Sequence, residues 1–179
     1  SVENLPLPFD RRVWHECRTL TAAGAQVCVI CPTGKGYDQR YEEIDGVHIY
    51  RHPLPLDAKG AKGYLVEYGA ALWHEMRLAI KIARKHGFDT IQGCNPPDLI
   101  FLIAVPFKLF GKRYIFDHHD INPELYEAKF NKRGFFWKLM VLFERLNFFF
   151  ARVVISTNES YREIALTRGK KRPEDVFVV

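Results

Sequence analysis

Apolar and polar positions along this chain follow two periods in turn. Behind Asp10, a residue suited to capping a helix, Val13, Cys17 and Leu20 recur at helical spacing, and Gly24 stands where a helix end favours glycine. The spacing predicts a helix to about Ala23. Residues 26–31 (QVCVIC) form a short apolar run, as in a strand covered on both faces. A loop over 32–36 and a strand over 47–51 follow. A long helix is predicted over 63–86, ended by Gly87, with Leu65, Leu72, Met76, Ile80 and Ala83 on one side. The remainder alternates in the same way: strand 89–93, helix 99–110 stopped by Gly111, strand 113–116, a connecting segment, helix 134–151, strand 153–156, helix 159–168 and strand 176–179. Residues 1–3 read as the tail of a first strand, and 4–9 as a proline-marked loop. Short β-α connections of this kind mark an α/β fold, a Rossmann-like, doubly wound and mostly parallel sheet.

In such sheets ligands bind beyond the C-terminal strand ends. Four polar clusters fall there. They are 4–12 with Asp10, Arg11 and Arg12; Asn95-Pro96-Pro97-Asp98; Asp117-His118-His119-Asp120; and Thr157-Asn158-Glu159. An imidazole flanked by carboxylates can act as a general base, with a carboxylate fixing its tautomer. The same pair could ligate a metal, but no HExxH pattern and no second histidine at helical spacing supports that. His118 could equally cap a helix or bond backbone. Arg11 and Arg12 at a helix start could neutralise a phosphate, or simply be solvated. The absence of GxGxxG, GxxxxGK[ST] and GxSxG removes support for a dinucleotide fold, a P-loop or a nucleophile elbow.

Composition narrows the class. At 179 residues, 47% hydrophobic and 26% charged, the chain suits one ordinary globular domain. Its net charge of +5 is concentrated in residues 129–152, which hold six basic side chains and the single acid Glu144. The same segment carries Phe130, Phe135, Phe136, Trp137, Phe143, Phe148, Phe149 and Phe150. Lys138 and Arg145, with Arg152, share one face at sevenfold spacing, so this helix either fills a core or offers a basic-aromatic edge to an anionic partner. Cys28 and Cys31 have CxxC spacing, but on a strand they point to opposite faces, which argues for reduced, buried cysteines rather than a metal or redox pair. No apolar run of 18 or more residues is present. The chain opens without methionine and ends in VFVV, which reads as a piece of a longer protein.

Three long strings, VENLPLPFDRRVWHECRTLTAAGAQVCVICP, GCNPPDLIFLIAVPFKLFGKRYIFDHHDINPELY and VVISTNESYREIALTRG, resemble family 4 glycosyltransferases of the bacterial surface polysaccharide type. The resemblance runs in order from Ser1 to Val179. It implies one acceptor-side Rossmann-like domain over 1–179, the N-terminal half of a GT-B fold. The C-terminal donor-binding domain, with the family's Glu-x7-Glu motif, is absent from this chain. It implies a retaining transferase that moves a sugar from a nucleotide sugar (UDP- or GDP-linked) to a lipid-linked saccharide acceptor. No tightly bound cofactor, no metal and no nucleic acid partner is implied, and the fragment alone should be inactive. The family histidine matches His118 first and His119 second, the doublet leaving the register open, with Asp120 and Asp117 orienting it or meeting acceptor hydroxyls. Relatives often carry a glycine-rich turn where this chain has PLPFDRR, so Asp10, Arg11 and Arg12 are acceptor or phosphate contacts by position only. Asn95, Asp98, Asn158 and Glu159 line the same edge. Relatives also dock on the cytoplasmic face of the inner membrane, a role for Trp137, Lys138 and Arg145. The alternative is a non-catalytic membrane-anchor or acceptor subunit of a two-chain transferase; a metal-dependent hydrolase is the more distant rival.

Overall fold

A computed structural model describes residues 1–2, 5–53 and 60–179, and only the backbone of 60–68. Glu3 and Asn4, within the segments 1–3 and 4–9 read above, and the Leu65 side chain lie outside what is described. The chain divides into two compact units, Ser1–Phe88 and Asp89–Val179.

In the first unit Asp10 adopts an extended backbone, and its carboxylate accepts the N–H groups of Arg12 and Val13 at 3.0 and 3.2 Å. Helix α1 (Arg11–Ala22) therefore starts where the sequence placed it, and Gly24 closes it with φ +85°. Val13 and Cys17 are buried, but Leu20 is 47% exposed and drops out of the predicted stripe. Strand β1 (Val27–Pro32) pairs in parallel with β3 (Val47–His52). Val2 bridges to Ile30 in parallel, in line with a strand tail at the start.

Strand β2 (Tyr41–Ile44), antiparallel to β3, was missed by the sequence reading. Its hairpin turn is Asp45-Gly46, both at positive φ (+50° and +77°), the Asp-Gly signature of a two-residue turn. Helix α2 (Gly60–Lys85) packs on β1 and β3. Its buried line is Ala71, Glu75, Ala79 and Ile82, one residue round the helix from the predicted Leu72, Met76, Ile80 and Ala83. Small side chains let the helix approach the sheet closely, and the bulkier neighbours sit at the edges of the contact.

The second unit is a wholly parallel sheet in the order β4 (Thr90–Cys94), β5 (Arg113–His118), β6 (Val153–Ser156), β7 (Val176–Val178). A single 3-10 turn, Asp98–Ile100, leads into α3 (Phe101–Lys108), so the predicted helix 99–110 is shorter at both ends. Helix α4 (Asn122–Phe130) replaces what read as a connecting segment; Pro123 in its first turn was the available signal. Helices α5 (Phe135–Phe150) and α6 (Glu159–Thr167) fall as predicted. Gly93 permits close packing of β4 against the 3-10 turn, since a Cβ there would stand 2.7 Å from Ile100 Cγ1. Among the described residues no helix is long and apolar enough to cross a membrane.

Candidate functional site

Strand β5 runs two residues further than predicted, and this decides the geometry of the Asp-His-His-Asp run. Successive residues on a strand face opposite ways. Tyr114, Phe116 and His118 therefore share one face, while Asp117 points to the other. His118 is wholly buried. Its ring lies 5.1–5.5 Å from those of Phe148, Tyr161 and Phe116, and its Nε2 is 3.5 Å from Glu144 Oε1. Glu144, the lone acid of the basic segment, is itself buried. It is held by Arg168, whose guanidinium also pairs with Glu124. His118 thus belongs to a network joining β5 to α4, α5 and α6.

Asp117, across the sheet, is fully buried beside β4. Its Oδ2 accepts from Gln92 Nε2 at 3.0 Å and from the Cys94 thiol at 3.5 Å. Past the strand end His119 turns back to this face, with Nε2 3.1 Å from the same oxygen and 18% of its side chain exposed. Gln92 and Cys94, two apart on β4, were not singled out from the sequence; the period-2 spacing beside a Gly-Cys-Asn strand end was the only hint.

Asn95 ties the two loops together. Its Oδ1 accepts the backbone N–H of His119 at 2.7 Å and of Asp120 at 3.2 Å. Its Nδ2 donates to the Asp120 carbonyl at 2.7 Å and to Asp98 Oδ1 at 3.0 Å. Both donors and both acceptor positions of a buried amide are therefore used. Asp98 also accepts from Asn122 Nδ2 at 2.8 Å. Burial raises its carboxyl above the ordinary range, against the two amide hydrogen bonds that pull it down. Asn95 is thus buried in holding backbone and Asp98 in holding the Asn95 and Asn122 amides, with Asp120 half-buried beside them.

The other predicted contacts sort as follows. Asn158 caps α6, accepting from Tyr161 N at 3.0 Å, and Glu159 is exposed beside Arg162 at 3.5 Å. The Asn95, His119 and Asn158 loops follow the ends of adjacent parallel strands β4, β5 and β6, so within this unit three of the four polar clusters share one edge. In the first unit Asp10 caps α1, Arg12 pairs with Glu16 at 3.4 Å, and Arg11 is exposed. Lys138 and Arg145 are exposed on α5 among Phe135, Phe136, Leu142 and Phe149, all at least 49% exposed. Trp137 is half-buried, with the Arg133 guanidinium 5.3 Å over its ring. None of the four cysteines is in a disulfide; Cys28 is half-buried and the others buried.

Comparison with known proteins agrees with this architecture. Two structures of the sucrose-phosphate synthase of Thermosynechococcus elongatus are similar. One is 14% identical with a TM-score of 0.63, over 98% of this chain and 83% of that one. The other is 17% identical with a TM-score of 0.64, over 88% of this chain and 38% of that one, so the chain spans well under half of the latter. No curated protein matches the sequence. Residues 10–179 match the sequence model described as the Glycosyl transferase 4-like domain. With that match over nearly the whole chain, on a fold of the GT-B N-terminal Rossmann-like kind, the chain belongs to the glycosyl transferase 4-like family.

Proposed function

We propose that this chain is the acceptor-side domain of a retaining glycosyltransferase. The enzyme moves a sugar from a UDP- or GDP-linked donor to a lipid-linked saccharide in cell-surface polysaccharide synthesis. Its partners are then the nucleotide sugar, the acceptor, a C-terminal donor domain and the cytoplasmic face of the membrane. The observation that carries this reading is the Asp117–His119 pair on the strand edge, held by Asn95 in a chain that matches a glycosyltransferase family.

Asp117 Oδ2 faces His119 Nε2, which favours the proton on that nitrogen and leaves Nδ1 as an acceptor. Nδ1 can then take a hydrogen bond from a sugar hydroxyl beside the reacting centre and fix its orientation. His119, not His118, has the solvent access for this, because the register of β5 encloses His118 among aromatic rings. Transfer breaks the bond from the anomeric carbon to the leaving diphosphate and forms one to the acceptor oxygen. The charge that develops on the diphosphate needs positive groups or helix dipoles, which the proposed donor domain supplies. Metal is not required by this scheme.

The test is sugar transfer by the protein carrying its donor domain, screened over UDP- and GDP-sugars, with His119→Ala and His118→Ala beside wild type. Loss of turnover in folded His119→Ala supports the reading; full turnover in that variant rejects the site. A second reading, a non-catalytic anchor subunit, draws on the exposed Phe, Lys and Arg face of α5. Absence of turnover with every donor would favour it.

A further inference from the structure

Three potential metal-ligating atoms converge where β4 and β5 end. Cys94 Sγ, Asp117 Oδ2 and His119 Nε2 all lie within 4.8 Å of one another. Among the described residues no other group of three comes so close. The Asp-His-His-Asp run alone lacks metal-ligand spacing; the third ligand comes from the neighbouring strand, in register with Asp117.

The distances suit a tetrahedral ion. Bonds of about 2.0 Å to nitrogen and oxygen and about 2.3 Å to sulfur put the N–O edge near 3.3 Å and the S–O edge near 3.5 Å. The corresponding edges here are 3.1 Å and 3.5 Å. The third edge closes by movement of the His119 imidazole, the one of the three groups that retains exposure. Charge agrees: a Cys94 thiolate and the Asp117 carboxylate together neutralise a divalent ion in a buried place, and imidazole adds no charge. Softness agrees as well, since a thiolate selects zinc-like ions over magnesium or calcium. Gln92 supports the carboxylate through its 3.0 Å hydrogen bond.

We infer that Cys94, Asp117 and His119 bind one thiophilic divalent cation, Zn2+ or Cd2+. Binding forms three metal–ligand bonds and releases the Cys94 thiol proton to solvent; Asp117 is ionised, His119 is neutral, and no electrons are transferred. A fourth position remains for water. The ion takes the imidazole nitrogen that otherwise faces Asp117. If the transfer reading holds, such ions are therefore inhibitors; binding itself does not depend on that reading.

Cd2+ titration of the chain tests this, read by the thiolate-to-metal ultraviolet charge-transfer band and by metal content after desalting. One equivalent is expected in wild type. Cys94→Ser should abolish the band, and Cys17→Ser, Cys28→Ser and Cys31→Ser should keep it. His119→Ala, at a partly exposed position, should retain the circular dichroism of wild type and bind at least about a hundredfold more weakly, since loss of even an outer-shell partner costs about 10- to 100-fold. No uptake by wild type, an undiminished band in Cys94→Ser, or unchanged affinity in folded His119→Ala would each overturn the inference.

Discussion

The amide oxygen of Asn95 accepts the backbone N–H of His119 at 2.7 Å, so the loop after one strand is positioned by a side chain from the loop after its neighbour. Truncation of Asn95 strands the N–H groups of His119 and Asp120 in a mostly buried place. Asn95→Ala is expected to lower stability by about 2 kcal/mol, the scale of an unsatisfied buried group. It should also reduce transfer by more than that loss of folded protein explains. Urea denaturation beside turnover per folded molecule checks both; a stability change with unaltered turnover would separate the clamp from the site.

The histidine doublet divides its labour between chemistry and packing. His119→Ala should leave the melting temperature near that of wild type and lower kcat by about 10²-fold, the scale for a substrate group left misplaced beside the reacting centre. His118→Ala should do the reverse. It leaves a cavity between Phe116, Phe148 and Tyr161 and should lower stability by about 2–4 kcal/mol with little change in turnover per folded molecule. The reversed pattern would return the chemistry to His118.

Gly93 has no room for a methyl group. Gly93→Ala would push a carbon to 2.7 Å from Ile100 and 3.3 Å from the Tyr114 ring. A loss of about 1–3 kcal/mol is expected from such overpacking, read from the denaturation midpoint. A neutral result would show that the 3-10 turn bearing Ile100 yields easily.

Glu75 of α2 is buried 3.7 Å from His52, and burial raises its carboxyl from 4.5 to about 7. Below pH 4.5 it is protonated in both folded and unfolded chains. As pH rises to about 7 the unfolded chain gains by ionising and the folded one does not, so stability falls across that window by up to about 3 kcal/mol and then levels. Glu75→Gln should remove this slope and be the more stable protein above pH 7. Burial also lowers His52, whose slope runs the opposite way at acid pH, so the difference between variant and wild type is read together with that from His52→Gln. Parallel melting curves for the two proteins from pH 4 to 8 would refute the assignment.

The α5 face carries the membrane part of the proposal. Affinity for anionic vesicles, read by flotation, should fall by at least about thirtyfold for Lys138→Glu with Arg145→Glu, given roughly 1 kcal/mol lost per basic residue near such a surface. Flotation equal to wild type would remove these residues from the contact.

Much of the fold was legible because α/β alternation writes itself in period and punctuation. Asp10, Gly24 and Gly87 marked helix ends correctly, and the apolar runs marked β1, β4, β5 and β6. The failures share a cause: partners distant in sequence decide which face is buried. β2 is short, acidic and half-exposed, so its composition hides a strand that only its Asp-Gly turn reveals. On α2 the most apolar line is not the buried one, since Ala71 and Ala79 allow the closest approach and Glu75 is carried inward with them. On α5 the inner face holds Glu144 and Asn147, whose partners Arg168, Tyr114 and the Asp98 carbonyl lie on other elements. The site was legible as a cluster, not as an arrangement. Asp117, the histidines and Asn95 were found by position, whereas Gln92 and Cys94 needed the register of β4 against β5.

That register also makes the site fragile in a way no single substitution would reveal. His118 and His119 are chemically identical, and only the two-residue pleat of β5 tells the inward ring from the outward one. Deleting one residue between Arg113 and Asp117 would exchange them, seating His119 among the aromatic rings and turning His118 toward β4. The identity of the working histidine is thus a property of strand length, and change of length in this strand is closed to drift even where each of its residues tolerates replacement.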